Sequence, residues 1–378
     1  MTRRELLALM GAAPLVATNA KAASNAPTAP VSIAKCASYN EDVTATLATM
    51  FDQIGGLERL VRGKTVTVKL NLTGSPGLRL KGRPLGVTHY THPKLVGATA
   101  YLMGRAGAKR IRFVESGWAL SGPLEDYLLD SGWNVRALAG AAPGVEFENT
   151  NNLGKGKRYS RLKVPGSPYI YPAFDLNHAF EDSDVFVSMA KLKNHETCGV
   201  TLSLKNCFGN TPASIYGDSA GVDEPNEKPI NGRGTVCHAG ERQPSRSAPP
   251  EIHFGVNHDP GYRVPHIVAD IVAARPVDLA IIDGIESIAG GEGPWIRSKP
   301  LRLVQPGVLI AGTNPVTTDA VATAVMGYNP RAERGTAPFQ TCDNTLLLAE
   351  RHGIGTTDLK RIEVVGVPIA QALYKYEA

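Results

Sequence analysis

Short blocks rich in β-branched and aliphatic residues alternate along the chain with longer stretches whose apolar positions recur every three or four residues. Residues 42–54 carry the helical spacing, and Thr65-Val66-Thr67-Val68-Lys69-Leu70 follows as a strand. Thr91-His92-Pro93 reads as a helix start, with Thr91 as cap and Pro93 at the first helical position. That helix runs through Leu95, Val96, Ala98 and Leu102 and stops at Gly107. Ile111-Arg112-Phe113-Val114 is the next strand, and residues 124–129 form a short helix closed by Gly132. In the second half, Val185-Phe186-Val187-Ser188-Met189, Leu279-Ala280-Ile281-Ile282, Val308-Leu309-Ile310-Ala311 and Ile362-Glu363-Val364-Val365 read as strands. Helices are expected over 201–208, 267–274, 317–326 and 346–352. Residues 210–263, rich in Gly, Pro, Asn and charge, read as a long irregular insertion, with 240–250 as a mobile segment or lid. Strands alternating with helices predict an α/β fold, a mostly parallel sheet with helices on both faces.

The N-terminus breaks this pattern. Arg3-Arg4 stands directly before a mildly apolar stretch, residues 6–17, which is shorter than the roughly 20 residues a membrane span needs. Small residues at Ala20-Lys21-Ala22 supply a cleavage site, so residues 1–22 read as a twin-arginine signal peptide and residues 31–378 as the α/β domain. The expected address is the periplasm or the exterior, with the twin-arginine machinery as a partner and no membrane attachment after cleavage. That route carries folded proteins, often with a cofactor already inserted, so export raises the expectation of a bound group without naming one.

Charge and cysteine content remove some function classes. The formal net charge of +5 includes Arg3, Arg4 and Lys21 of the signal, and the remaining excess is not gathered into runs. No basic stripe or nucleic-acid motif is present, so nucleic acid is not an expected partner. The five cysteines, Cys36, Cys198, Cys207, Cys237 and Cys342, include no C-x-x-C pair, which disfavours a zinc ribbon or an iron–sulfur cluster. A helix between Cys198 and Cys207 would hold them about 13 Å apart, too far for a disulfide. The G-x-G-x-x-G and P-loop patterns are absent, and the G-x-S-x-G match Gly217-Asp218-Ser219-Ala220-Gly221 falls in the irregular insertion, not at the strand-to-helix turn of a nucleophile elbow.

The strands end in polar residues: Lys69-Leu70-Asn71, Glu115-Ser116-Gly117, the run from Lys191 to Thr197, and Asp283-Gly284. Open α/β sheets bind ligands beyond the carboxyl ends of their strands, so these residues mark a site. The run Lys191-Leu192-Lys193-Asn194-His195-Glu196, followed by Gly199-Val200-Thr201-Leu202-Ser203-Leu204-Lys205-Asn206, resembles the signature of the domain of unknown function 362 family. Flanking blocks match as well: Thr91-His92-Pro93 with Gly107-Ala108, Asp283-Gly284-Ile285 with Gly291-Glu292-Gly293-Pro294, and Gly312-Thr313-Asn314-Pro315-Val316 with Asp319-Ala320-Val321. The resemblance covers most of residues 60–330. Some members carry a ferredoxin module, for which this chain lacks the cysteines; the resemblance supplies no reaction.

Residue types suggest the chemistry. Lys191, Lys193 and Lys205 form a cationic set, with Lys69, Asn71 and Asn206 beside them, suited to a carboxylate or phosphate. Lysines crowded together have lowered pKa values, which would let Lys205 act as a base. His195, next to Glu196, is the acid–base candidate. His92, at a helix start, is expected simply to bond the first turn. Glu115, Asp283, Glu292 and Asp319 could supply oxygen ligands for a divalent metal, with Glu115, Asp283 and Asp319 the preferred set, and the glycines around Glu292 shape a loop for close approach. The resulting expectation is an exported, metal-assisted enzyme of unassigned reaction acting on a small anion. The alternatives are a metal- or anion-binding protein without turnover and, disfavoured, an iron–sulfur redox protein. Changing Arg3 and Arg4 together to lysine is expected to leave unprocessed precursor in the cytoplasm, as checked by fractionation and blotting; continued export through the general secretory channel would refute the assignment.

Overall fold

The computed structural model describes residues 25–377 apart from 119 and 299, so the signal segment lies outside the described residues. The strands of the main sheet are β1 (Val31–Lys35), β2 (Thr65–Lys69), β3 (Arg110–Glu115), β4 (Val145–Asn149), β5 (Val185–Lys191), β6 (Leu279–Gly284), β7 (Val308–Gly312) and β8 (Val364–Gly366). They form one sheet in the order β8-β1-β7-β6-β5-β2-β3-β4. β7 runs antiparallel to both neighbours, and every other pairing is parallel. The predicted α/β class, mostly parallel with helices on both faces, is the observed one. β1 and β4 were not legible in the sequence, the latter because Val145-Glu146-Phe147-Glu148-Asn149 carries only two apolar residues.

Two apolar clusters cover the two faces. Leu47, Met50 and Phe51 of α1 (Val43–Gln53) pack on one face, with Leu95, Val96 and Met103 of α2 (Pro93–Arg105) and Leu124 and Leu128 of α3 (Leu124–Asp130). The other face is covered by α4 (Leu202–Asn206), α5 (Pro260–Ala274), α6 (Pro315–Val325) and α7 (Thr345–Arg351). Side chains on a strand alternate between faces, so parity decides which cluster each one joins. Val185, Val187 and Met189 of β5 join the α1–α2 side, as do Leu279 and Ile281 of β6. Lys191 and Asp283 continue those parities and meet on that side. Val66 and Val68 of β2 also face α1 and α2, which sends Lys69 the opposite way, toward α4.

Several local expectations are corrected. The cap of α2 is His92, whose Nδ1 accepts from the Lys94 N–H at 3.1 Å, as expected for a residue bonding the first turn. Thr91, predicted as the cap, instead donates from Oγ1 to the Met189 carbonyl at 3.0 Å, tying this segment to β5. The predicted helix over 201–208 is five residues long and passes into a tight turn over Cys207–Asn210. Cys198 and Cys207 are nonetheless free thiols, like the other three cysteines. Residues 240–250 are pinned: Arg242 donates to the Gly217 and Ala220 carbonyls at 3.1 and 3.0 Å, and Ser245 donates to Gly221.

Asp319, on α6, fixes the start of α4. Its two carboxylate oxygens accept the N–H groups of Ser203 and Leu204 at 2.9 and 2.8 Å, in a fully buried position. It thus stabilises a helix start, but that of α4 rather than its own. Burial pushes its pKa up to about 8, opposed by these two bonds. The folded chain then holds a proton that the unfolded chain has lost, so this contribution to stability declines as pH rises from about 4 to about 8. Asp319→Ala leaves two buried donors unsatisfied and is expected to cost roughly 2–6 kcal/mol, at about 1–3 kcal/mol for each. Asp319→Asn is expected to lose less and to flatten the stability–pH curve in that window; urea unfolding across pH measures both.

Candidate functional site

From β2 the chain proceeds outward to β3 and β4, whereas β5 and β6 lie on the other side of β2. The carboxyl ends of β2 and β5 therefore flank a topological switch point, where open α/β sheets form their crevice. A cavity of about 270 Å³ lies there. Its wall includes Lys69 and Asn71 after β2, Glu115 and Ser116 after β3, Lys193 and His195 after β5, and Lys205 and Asn206 of α4. Arg233, His238, Glu292, Trp118 and Trp295 complete it. Of the ten site residues expected from sequence, Lys191, Asp283 and Asp319 do not line this cavity.

The reasons are geometric. Lys191 is fully buried on the α1–α2 side, donating to Tyr39 Oη at 2.8 Å, the Gly86 carbonyl at 2.6 Å and Asp283 Oδ2 at 3.0 Å. Asp283 also accepts from Tyr39 Oη at 2.7 Å and from the His92 N–H at 3.0 Å. Asp319 caps α4, and Glu115 pairs with Lys69. The three carboxylates expected as metal ligands thus lie in three separate places, each already partnered. Among the described residues, no group of three or more His, Cys, Asp or Glu side chains is arranged to hold a metal ion.

An ammonium has three hydrogens to donate; Lys69 meets three protein acceptors and Lys193 two. Lys69 Nζ lies 2.5 Å from Glu115 Oε1 and donates to the Leu70 carbonyl at 2.7 Å and Asn206 Oδ1 at 3.3 Å. Glu115 in turn accepts from the Leu72 and Ser116 N–H groups at 2.7 and 2.8 Å. Lys193 Nζ donates to the His89 and Glu292 carbonyls at 3.0 and 2.8 Å. Lys205 is different. Its Nζ has no hydrogen-bond or ion-pair partner among the described residues and lies 4.5 Å from the centre of the Phe208 ring. Burial first of all lowers its pKa, with Lys69 and Arg233 pushing the same way and Glu292 opposing. The expected direction holds, but desolvation leads rather than crowding.

Arg233 was missed in the sequence because it lies in the irregular insertion, with no motif around it. Its Nη2 donates to Ser116 Oγ at 2.8 Å and Asn151 Oδ1 at 2.9 Å, and Nε to the Thr211 carbonyl at 2.9 Å. Nη1 has no hydrogen-bond partner among the described residues. His238, five residues on, closes a single wide turn over Gly234–His238 and was missed for the same reason. Trp118 and Trp295 stand edge to face, 6.3 Å between centroids. A Cβ on either Gly74 or Gly293 would collide with the Trp295 ring, which is the close approach that the glycines around Glu292 serve. Two of the chain's three tryptophans sit here, immediately after polar strand-end or glycine-rich segments; that placement was the available signal.

The two histidines are held in opposite tautomers. His195 Nδ1 accepts from the Thr197 N–H at 3.2 Å, which leaves the proton on Nε2. His238 Nδ1 lies 2.9 Å from the Arg233 carbonyl, an acceptor only, so its proton is on Nδ1 and Nε2 carries a lone pair. The His195 side chain is 8% exposed, and burial drives its pKa well below the usual range, with Lys205 and Lys193 adding to the effect. His238 is lowered to about 4, mainly by burial, with Lys205 and Arg233 contributing. Both rings are therefore neutral at pH 7. His195, expected as the acid–base group, is held as a neutral hydrogen-bond donor. Glu196, adjacent in sequence, meets it less closely than Glu292, whose Oε2 lies 4.0 Å from His195 Nδ1.

The chain is 27% identical over 187 residues to the thylakoid-associated protein sll1697 of Synechocystis sp., a stretch covering 49% of this chain and 51% of that one. The lactate racemase apoprotein from Thermoanaerobacterium thermosaccharolyticum matches in structure with a TM-score of 0.34 and 11% identity, covering 69% of this chain and 50% of that one. A structural-genomics protein from Thermotoga maritima matches with a TM-score of 0.33 and 12% identity, covering 71% and 55%. The chain thus spans about half the length of each of these proteins. The model of the family described as "Domain of unknown function (DUF362)" matches residues 66–324, from β2 through nearly all of α6, and the chain belongs to that family.

Proposed function

We propose that this protein is an exported enzyme that binds a small carboxylate or phosphate in the cavity between the ends of β2 and β5. The observation that carries the reading is the difference between Lys205 and its neighbours. Lys69 and Lys193 have their ammonium groups engaged by protein atoms, whereas Lys205 Nζ and Arg233 Nη1 have no hydrogen-bond partner among the described residues. A partly desolvated cation without a partner is costly, and an anionic ligand would offset that cost. Four cationic side chains against two carboxylates line the wall, and its volume suits a molecule of few heavy atoms. Trp118 and Trp295 add apolar surface at the same wall. Export rests on Arg3-Arg4 and the short apolar stretch that follows. No metal-assisted step is included, because Asp283 and Asp319 lie away from this cavity and Glu115 is paired with Lys69.

Lys205→Met keeps the apolar stem that packs in α4 and removes only the charge. A charged hydrogen bond is worth about 1.5–3 kcal/mol, so affinity for inorganic phosphate or small carboxylates is expected to fall about tenfold to a hundredfold, measured by isothermal titration. The melting temperature should hold or rise, since a desolvated charge has been removed. Unchanged affinity in this variant would overturn the reading. The same substitution removes a positive charge that depresses both His195 and His238. Their pKa values are expected to rise, which an NMR titration of the imidazole protons would show.

A further inference from the structure

The two histidines of the cavity differ in what they can do. His238 has a lone pair at Nε2, because its Nδ1–H is committed to the Arg233 carbonyl at 2.9 Å. His195 has a proton at Nε2, because its Nδ1 receives the Thr197 N–H at 3.2 Å. Each assignment is enforced by a backbone group rather than by another titratable side chain. Phe208 links the arrangement: the His238 ring meets it edge-on, with centroids 5.3 Å apart, and Lys205 Nζ lies 4.5 Å from its centre. One wall thus carries a proton acceptor, a neutral donor and an unspent ammonium.

We propose that His238 is the proton-abstracting base of this site, that His195 is a fixed donor to the oxygen on which charge develops, and that the substrate is a small 2-oxo carboxylate with a hydrogen on the carbon beside its carbonyl. This rests on the anion-binding reading above and adds a reaction to it. In the step, the C–H bond next to the carbonyl breaks, the proton passes to Nε2 of His238, and the electron pair moves to the carbonyl oxygen. The enolate so formed is held by Nε2–H of His195 and Nζ of Lys205, with the carboxylate on Nη1 of Arg233. Return of a proton from His238 to carbon reverses the step, so no oxidant, reductant or further reactant is consumed.

A neutral imidazole suits the donor role, since it stabilises an oxyanion without having to surrender its proton. It cannot serve as the acid, because giving up the Nε2 proton would leave an imidazolate. Burial and the nearby Lys205 and Arg233 hold the pKa of His238 at about 4. A bound carboxylate brings negative charge beside the ring and raises it toward neutrality, where a base is most effective.

The test uses the purified exported protein with pyruvate and 2-oxobutyrate in deuterated water, following loss of the methyl and methylene proton signals by NMR. Oxamate, which has no such proton, serves as the binding control. The wild-type protein is expected to accelerate exchange. His238→Gln is expected to slow it by about a hundredfold or more, with pyruvate affinity held within about threefold. His195→Gln is expected to slow exchange as well, through loss of the fixed ring donor. Binding of pyruvate without exchange in the wild-type protein, or full exchange in His238→Gln, would overturn the proposal while leaving the anion site standing. Failure of all three compounds to bind would overturn this proposal alone, and failure of inorganic phosphate to bind as well would sink the anion site too. A measurement that needs no variant is the ¹⁵N spectrum of the imidazoles: the proton is expected on Nδ1 of His238 and on Nε2 of His195, and the reverse for His238 would remove its role as base.

Discussion

The site depends on the buried ion pair between Lys69 and Glu115. The two residues end adjacent parallel strands, and their charged groups close to 2.5 Å in a position that water barely reaches. Removing two charges from water is expensive, and their attraction compensates only when the remaining donors and acceptors are also met. Here they are met: the ammonium bonds Leu70 and Asn206, and the carboxylate takes the N–H groups of Leu72 and Ser116. Those contacts set the paths of the chain leaving β2 and β3, which form part of the cavity wall, and they join α4 to the sheet. Removing one partner would strand the other charge, a loss of about 3–5 kcal/mol.

The close packing around this pair also explains the use of glycine. A Cβ at Gly209 would come within 2.9 Å of Lys69 Cε and Nζ, so the turn that follows α4 can pass over the ammonium only without a side chain. Ser116 donates to the carbonyl of the same glycine, and Arg233 donates to Ser116, bringing the insertion into the site. The irregular segment is thus tied to the strand ends by hydrogen bonds, and it delivers Arg233 and His238 to fixed places. A stiff wall of this kind is what lets backbone groups assign a tautomer to each histidine.

Neighbouring positions in the sequence have opposite fates. Lys191 and Lys193 lie two residues apart, yet the first is locked to Asp283 beneath α2 and the second reaches the cavity. β5 ends at Lys191, and beyond it the alternation of faces no longer governs where side chains point. The same break places His195 on the cavity wall. Proximity to a polar strand end is therefore a sound guide to the neighbourhood and a poor guide to the individual residue.

What the sequence determined is the class of fold and the edge of the sheet that holds the site. Both follow from local rules: apolar spacing separates strands from helices, glycines stop the helices, and polar residues collect where strands leave the core. Lys69, Asn71, Glu115, Lys193, His195, Lys205 and Asn206 were legible for that reason. What only the tertiary structure decided is which of the charges remain available. Pairing is a property of residues distant in sequence: Lys191 meets Asp283 across 92 positions, Ser203 meets Asp319 across 116, and Lys69 meets Glu115 because their strands are neighbours. Arg233 and His238 were hidden because an insertion without periodicity carries no signal of where it returns. Their place in the wall is fixed by hydrogen bonds to carbonyls and side chains that the linear order of the chain does not bring together.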